Sequence, residues 1–227
     1  MPPSSLFFSI VLPTFNRAHI VPRAIESVLG QTCTDWELII VDDGSTDDTR
    51  TLVSPYLADE RITYSPDTNQ GAARARNRGI ALSRGAFITF LDSDDEYLPD
   101  HLELRRSKLA AGDIDLMHGG LEVIGDDSVA DMFDNTKRIP ISQCFVGGTF
   151  FLKRELAEKL GGFRDLPYGD DSDLAQRAIE AGAHVLKVDW PTYRYYRDQP
   201  DSLCSIAERS GVEGILAYRK SSITSNG

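Results

Sequence analysis

The chain has 227 residues, 41% of them hydrophobic and 26% charged, with 24 Lys+Arg against 35 Asp+Glu for a formal net charge of −11. That much apolar material can bury a core, which excludes a disordered, collagen-like or disulfide-stapled chain. The acid excess speaks against binding nucleic acid by phosphate neutralisation, and against a polybasic grip on an anionic membrane.

Residues 7–12 are apolar and stop at Pro13, which reads as a buried strand. Pro22 suits a first helical turn, Val21, Ala24, Ile25, Val28 and Leu29 make a helical stripe, and Gly30 can end it. Residues 36–41 read as a second strand running into Asp42-Asp43-Gly44-Ser45, after which Asp47 or Asp48 can cap a helix reaching residue 57. A short strand at 62–64, a helix at 71–82 and a strand at 86–91 follow, the last running into Asp92-Ser93-Asp94-Asp95. The second half predicts helices at 101–111, 153–160 and 171–181, strands at 116–124 and 184–188, a polar loop or lid at 125–140, and a closing helix at 206–220 before a frayed tail.

Strands alternating with helices imply a parallel, right-handed α/β layer structure, and no repeat or low-complexity linker divides it. No apolar run reaches the ~18 residues of a membrane span, and the N-terminus lacks the basic region of a signal peptide. Cys33, Cys144 and Cys204 form no C-x-x-C pair, so neither a disulfide framework nor a zinc site is signalled. The reading is a cytoplasmic protein with no transmembrane segment, for which peripheral work at the inner face of a membrane stays open.

Ligands of such sheets bind beyond the carboxyl ends of the strands, and both early acidic clusters fall there. Asp92 and Asp94, two apart at a strand end, are expected to point to one side and to suit a hard divalent cation that borrows oxygens from a phosphate; the alternative is a solvated acidic turn. Asp42 can accept hydrogen bonds from a base or ribose, or simply belong to an Asp-Gly turn. Arg76 shares a helical face with Ala72, Ala75, Gly79 and Ile80, so it points inward, either towards a diphosphate or carboxylate or as a snorkelling edge residue. Arg74 and Arg78 face outward and read as solvated. Asp171 shares a face with Leu174, Ala175 and Ala178, the placement a general base needs; helix-dipole stabilisation alone explains acids in a first turn but not an inward one. Asp173 and Arg177 read as a surface ion pair. The histidines at 19, 101, 118 and 184 show no metal-ligand spacing.

Taken together, Ser9-Ile-Val-Leu-Pro-Thr-Phe-Asn16, Trp36-Glu-Leu-Ile-Ile-Val-Asp-Asp-Gly-Ser-Thr46, Asn69 to Gly79, Phe90-Leu-Asp-Ser-Asp-Asp95, Gly161-Gly-Phe163, Asp170-Asp-Ser-Asp-Leu174 and Tyr196 to Leu203 resemble glycosyltransferase family 2. The resemblance reaches to about residue 205. It implies a single GT-A domain over 1–227, a Rossmann-like, mostly parallel sheet flanked by helices. About 5–98 would form the nucleotide-sugar half, about 99–205 the acceptor half, and 206–227 a closing helix and tail.

It also implies inverting transfer from a nucleotide-diphosphate sugar, a UDP-sugar favoured, with Mn²⁺ or Mg²⁺, to a saccharide or lipid-linked glycan. Pro13, Thr14 and Phe15 would line the nucleotide pocket, Asp42 would hold the base, and Gly71 and Arg76 would lie near the nucleotide. Asp92, Ser93 and Asp94 would face the sugar-nucleotide, with Asp94 and Asp92 at the metal. Asp171 would be the base, with Asp170 beside it. Gly147, Gly148 and Thr149, small residues expected before a helix, would shape the acceptor side. Two departures stand out: Asp170 replaces the family's usual Glu, and Gln199 stands where a His is common.

Three rivals come from other classes. A haloacid-dehalogenase-type phosphatase would want Thr or Val where Glu96 stands. A sugar nucleotidyltransferase would want a Gly-rich basic loop in place of residues 13–17. A non-catalytic nucleotide-sugar-binding module would bind without transfer. The stretches 42–48, 92–96 and 170–173 hold four, four and three acidic residues, so much of the net charge belongs to the expected site.

Overall fold

The computed structural model describes residues 6–131, 137–197 and 203–224. The first half is the strand–helix alternation the sequence predicts: β1 (Phe8–Thr14), α1 (Val21–Leu29), β2 (Trp36–Asp42), α2 (Thr49–Val53), β3 (Ile62–Pro66), α3 (Ala72–Leu82) and β4 (Phe87–Phe90). The helix expected to reach residue 57 ends at Val53 and tightens into a 3₁₀ turn, Ser54–Ala58; Pro55 lies in that turn. Asp47, not Asp48, supports its start by accepting from the Thr49 amide.

The second half comprises β5 (Glu96–Tyr97), α4 (His101–Ala111), β6 (Leu116–His118), β7 (Leu121–Ile124), β8 (Ser128–Ala130), β9 (Arg138–Pro140), β10 (Phe151–Lys153), α5 (Arg154–Leu160), α6 (Asp170–Glu180), β11 (Val185–Lys187), β12 (Tyr193–Tyr196) and α7 (Leu203–Thr224). The single strand expected at 116–124 is two, because Gly119 and Gly120 take φ of 94° and 81° and turn the chain from one sheet into another. Part of the expected loop at 125–140 is the antiparallel ribbon β8–β9. α7 extends past the expected end at 220 and is broken at Gly211, where φ is 61°.

Seven strands form one sheet in the order β11-β6-β10-β4-β1-β2-β3. All its pairings are parallel except those of β10, which runs against both β4 and β6. The sheet is thus mostly parallel, as expected, with β10 as its antiparallel member. Alternation along β1 explains the layers: Phe8, Ile10 and Leu12 join the apolar cluster under α1, α2 and α4, while Val11 joins the one under α3, α5 and α6. Burial on both faces is why the strands read as continuous apolar runs.

β1 continues through Pro13, where the sequence reading stopped it. Leu91 donates to the Val11 carbonyl and Asp43 to the Thr14 carbonyl, so alternate residues of β1 face β4 and β2. Pro13 faces the β4 side, and pairing there has ended at Val11–Phe90, so no ladder donor is lost. The chains diverge at that point, and the sheet order reverses between β1 and β4. This is the crevice where open α/β sheets take ligands.

Candidate active site

The loops after β1 and β2 are locked together. Asn16, held at φ 52°, accepts from the Thr46 amide at 2.8 Å and donates its own amide to Ser45 Oγ at 2.9 Å. Pro13 and Thr14 are buried and Phe15 half-buried at this edge. The Thr14 hydroxyl has no partner among the described residues.

Asp42 is buried at the end of β2, where its carboxylate takes the Ser45 amide at 2.7 Å and the Tyr64 hydroxyl. Burial, then the hydrogen bond to Asp42 and its charge, drives the Tyr64 phenol upward, so it remains a donor to Asp42. Asp43 turns the other way and receives the Gln70 and Gly71 amides, both at 2.8 Å, which fixes the start of α3. Gly71 takes φ 94°, a conformation costly for other residues.

α3 lies hard against β1, since a Cβ on Gly79 would stand 2.2 Å from Val11 Cγ1. It projects Arg76 inward as expected. Nη2 donates to Asp92 Oδ1 at 2.8 Å and Nη1 to Asp170 Oδ2 at 3.2 Å, and the guanidinium lies 5.4 Å from the Phe163 ring. Burial works against its charge, but Asp92, Asp170 and Asp171 outweigh it and hold the proton more tightly than usual. One residue on, Asn77 exchanges two 2.8 Å hydrogen bonds with Phe163 backbone atoms. A Cβ on Gly162 would strike the Asn77 side chain at 2.2 Å. The Gly161-Gly162-Phe163 segment thus fastens α3 to the approach to α6. The arginines expected to be solvated are both exposed, Arg74 beside Asp165 and Arg78 beside Ser65 and Asp67.

Asp92, Ser93 and Asp94 do not continue β4. The strand ends at Phe90, and a turn closes with the Asp95 amide on the Asp92 carbonyl at 3.0 Å. Strand alternation therefore does not orient the two carboxylates; the turn does. Arg23 from α1 reaches the Asp94 carbonyl and stacks 3.8 Å from the Tyr196 ring. Asp95, wholly buried, accepts the Tyr193 hydroxyl at 2.7 Å and the Tyr196 amide at 2.9 Å.

Gly169, at φ 79°, turns the chain into α6, whose first turn carries Asp170, Asp171 and Asp173. Asp171 Oδ2 takes the Gly147 amide at 2.8 Å. Desolvation first, and the Asp170 charge second, push its carboxyl up to about 7 against the pull of Arg76 and Gly147. Asp173 and Arg177 pair at 2.7 Å, but Arg177 is largely buried and also caps α5 through the Leu160 and Gly162 carbonyls. The expected surface pair is thus an inter-helix tie.

Gly147–Thr149 is a 3₁₀ turn followed by strand β10, not by a helix. The Thr149 hydroxyl is committed to the backbone, accepting from Gly119 at 3.0 Å and donating to Val146 at 2.8 Å. Gly148 is pressed against Tyr193. His101 is buried, stacked 3.9 Å from Tyr97 and bonded to Thr192, a packing role. Cys33 and Cys144 are free thiols; the Cys204 side chain and Gln199 lie outside the described residues.

The hard-oxygen chemistry of Asp92 and Asp94 fits a divalent cation only in part. One Asp92 oxygen is engaged by Arg76, and the described residues contain no group of three His, Cys, Asp or Glu able to hold a metal. A cation at this turn needs further oxygens, of the kind a diphosphate carries. No described helix is long and apolar enough to cross a membrane.

Of the residues the sequence singles out, the structure joins Arg76 to Asp92 directly and to the turn that carries Asp171 through Asp170. Asp43, Tyr64, Asp95 and Tyr193 take their roles from partners 22 to 98 residues away, which the sequence does not show.

The architecture is the GT-A fold. Staphylococcus aureus TarS, solved with UDP-GlcNAc, superposes with a TM-score of 0.74 at 18% identity, over 97% of this chain and 71% of that one. The Pyrobaculum calidifontis mannosyltransferase PcManGT, solved with GDP-Man and Mn²⁺, superposes at 0.70 with 23% identity, over 97% and 64%. The chain belongs to glycosyl transferase family 2, whose model matches residues 9–161. A curated relative is the Escherichia coli UDP-Glc:α-D-GlcNAc-diphosphoundecaprenol β-1,3-glucosyltransferase WfgD, 36% identical over 144 residues. That match covers 61% of this chain and 56% of the relative, so the chain spans little more than half its length.

Proposed function

We propose that the protein is an inverting glycosyltransferase that moves a sugar from a nucleotide-diphosphate sugar to a hydroxyl of a saccharide or lipid-linked glycan. The observation that carries the reading is Arg76, whose one guanidinium bonds the Asp92 turn and the first turn of α6 together. That tie supports a site in which the Asp92 turn, proposed to face the diphosphate, stands beside the helix turn that carries Asp171, the proposed proton acceptor. The likeness to proteins solved with UDP-GlcNAc and with GDP-Man supports a nucleotide-sugar ligand.

In this reading Asp42 meets the base, with Phe15 and Pro13 lining its pocket and Gly71 admitting the nucleotide close to the backbone. Asp94 and Asp92 would hold Mn²⁺ or Mg²⁺ together with diphosphate oxygens, where the ion would offset charge on the leaving group. Arg76 keeps Asp92 and Asp170 oriented. Asp171, held by the Gly147 amide, takes the proton of the acceptor hydroxyl as that oxygen bonds to the anomeric carbon. The anomeric bond to the diphosphate breaks on the opposite side, so one displacement inverts configuration.

A panel of UDP-, GDP- and dTDP-sugars with Mn²⁺, read by thermal shift and nucleotide release, tests this reading. Release that depends on one sugar donor and rises with a saccharide acceptor is the expected result. Silence toward every sugar donor would sink it.

A further inference from the structure

Tyr193 lies between the two turns that the proposed reaction must keep in register. It is wholly buried in β12, paired antiparallel with Tyr97 and parallel with Leu121. Its ring is boxed by Tyr97 at 5.7 Å and His101 at 6.0 Å, which leaves it little freedom to move. The hydroxyl donates to Asp95 Oδ2 at 2.7 Å and accepts from the Asp92 amide at 3.3 Å. The Asp92 backbone N–H fixes this direction, because it can only donate, so a phenol lone pair goes to it and the phenol proton is turned towards Asp95. The other Asp95 oxygen takes the Tyr196 amide, so the carboxylate spans β12.

On its far side the same hydroxyl abuts Gly148. A Cβ there would stand 2.2 Å from Tyr193 Oη and 2.5 Å from Cζ. The residue before Gly148 is the one whose amide holds Asp171. One oxygen atom therefore bonds the backbone of the Asp92–Asp94 turn and packs against the Gly147–Thr149 turn, whose first amide holds Asp171.

We propose that Tyr193 is a positioning residue whose hydroxyl, oriented by Asp95, sets the gap between the sugar-donor turn at Asp92 and the Gly147–Thr149 turn that holds Asp171. The inference rests on the glycosyltransferase reading above. A residue that sets this gap affects attack by a positioned acceptor more than attack by water, because water reaches the anomeric carbon without the acceptor-side turn. Misplacement by about an ångström costs on the order of a hundredfold in a positioned reaction. A side chain that merely fills the core would lower both rates together.

The experiment compares the full chain with its Tyr193→Phe variant, using the sugar donor found active in the panel. It measures melting temperature, donor Kd with Mn²⁺, the rate of transfer and the rate of donor hydrolysis. Tyr193→Phe is expected to keep Kd within about threefold and to lower the transfer-to-hydrolysis ratio about tenfold. Asp95→Asn, which keeps the ring in place but weakens its orientation, is expected to lower the same ratio. The double variant should lose little more than the worse single one, since both act through one hydroxyl.

If Tyr193→Phe does not fold, Asp95→Asn is scored by the same ratio. A ratio within twofold of wild type, whether both rates survive or both fall, overturns the inference and leaves the glycosyltransferase reading intact. A wild-type chain inert to every sugar donor overturns that reading, and this one with it.

Discussion

The amide of Gly147 donates to Asp171 Oδ2 at 2.8 Å, so the carboxyl proposed as base is held by backbone from a different part of the chain. Asp171→Asn keeps the shape and removes the basicity. Turnover is expected to fall about 10²–10⁴-fold, with the sugar-donor Kd unchanged in calorimetry. Turnover near wild type would transfer the role to another group.

The same carboxyl titrates at about 7, raised from an ordinary aspartate. A base works deprotonated, so kcat should rise with pH through about 7 and level above it. Stability runs the other way. The folded form binds the proton more tightly than the unfolded chain, so this group's contribution declines as pH rises from about 4 to about 7. Urea unfolding across that range checks the sign: Asp171→Asn should decline less steeply than wild type, keeping only the contribution of the other raised carboxyls, Asp43 and Asp95.

Arg76→Ala strips the cation from Asp92 and Asp170 and leaves both largely buried. Breaking such a pair is expected to cost about 3 kcal/mol in urea unfolding. Because Arg76 pulls the Asp171 pKa down, the acid limb of the kcat profile should move to higher pH in this variant. Arg76→Lys should move it less, since it keeps charge but loses the two-pronged geometry.

Tyr64→Phe removes one of the two groups seen holding Asp42. If Asp42 meets the base, UDP affinity should weaken about three- to tenfold, the value of one hydrogen bond. Inorganic diphosphate, which has no base, should bind as before.

Gly79→Ala would place a methyl 2.2 Å from Val11 Cγ1 at the α3–β1 contact. Overpacking of that kind costs about 1–3 kcal/mol. The melting temperature should fall, and adding Val11→Ala should restore part of it.

The elements legible in the sequence are those whose burial is uniform. β1 and β2 are covered on both faces, so their apolar runs are unbroken, and α4 was placed at its observed bounds. β10 falls mostly in the unassigned gap between the expected small-residue turn at 147–149 and the helix expected at 153–160. It has three residues, and its reversal is decided by β4 and β6, which lie far away in sequence. Gly119 and Gly120 look like strand interior until their positive φ is known.

For the site, periodicity identified Arg76 and Asp171 as inward. It could not name Asp170 as a partner of Arg76, because 94 residues separate them. It misjudged Asp92 and Asp94 by extending strand geometry into a turn. Tyr193 carried no signal at all, being one aromatic in Tyr193-Arg194-Tyr195-Tyr196.

Strand β10 has one more consequence. It is wedged between β4, from the first half of the chain, and β6, from the second, and hydrogen-bonds to both. Hydrogen bonding across the sheet therefore runs on from strands of the first half of the chain to strands of the second. A fragment stopping at residue 98 would leave β4 with a bare row of amides and carbonyls beside Ile88 and Phe90, a template for joining another chain. The strand that runs the wrong way is what covers that edge in the whole chain.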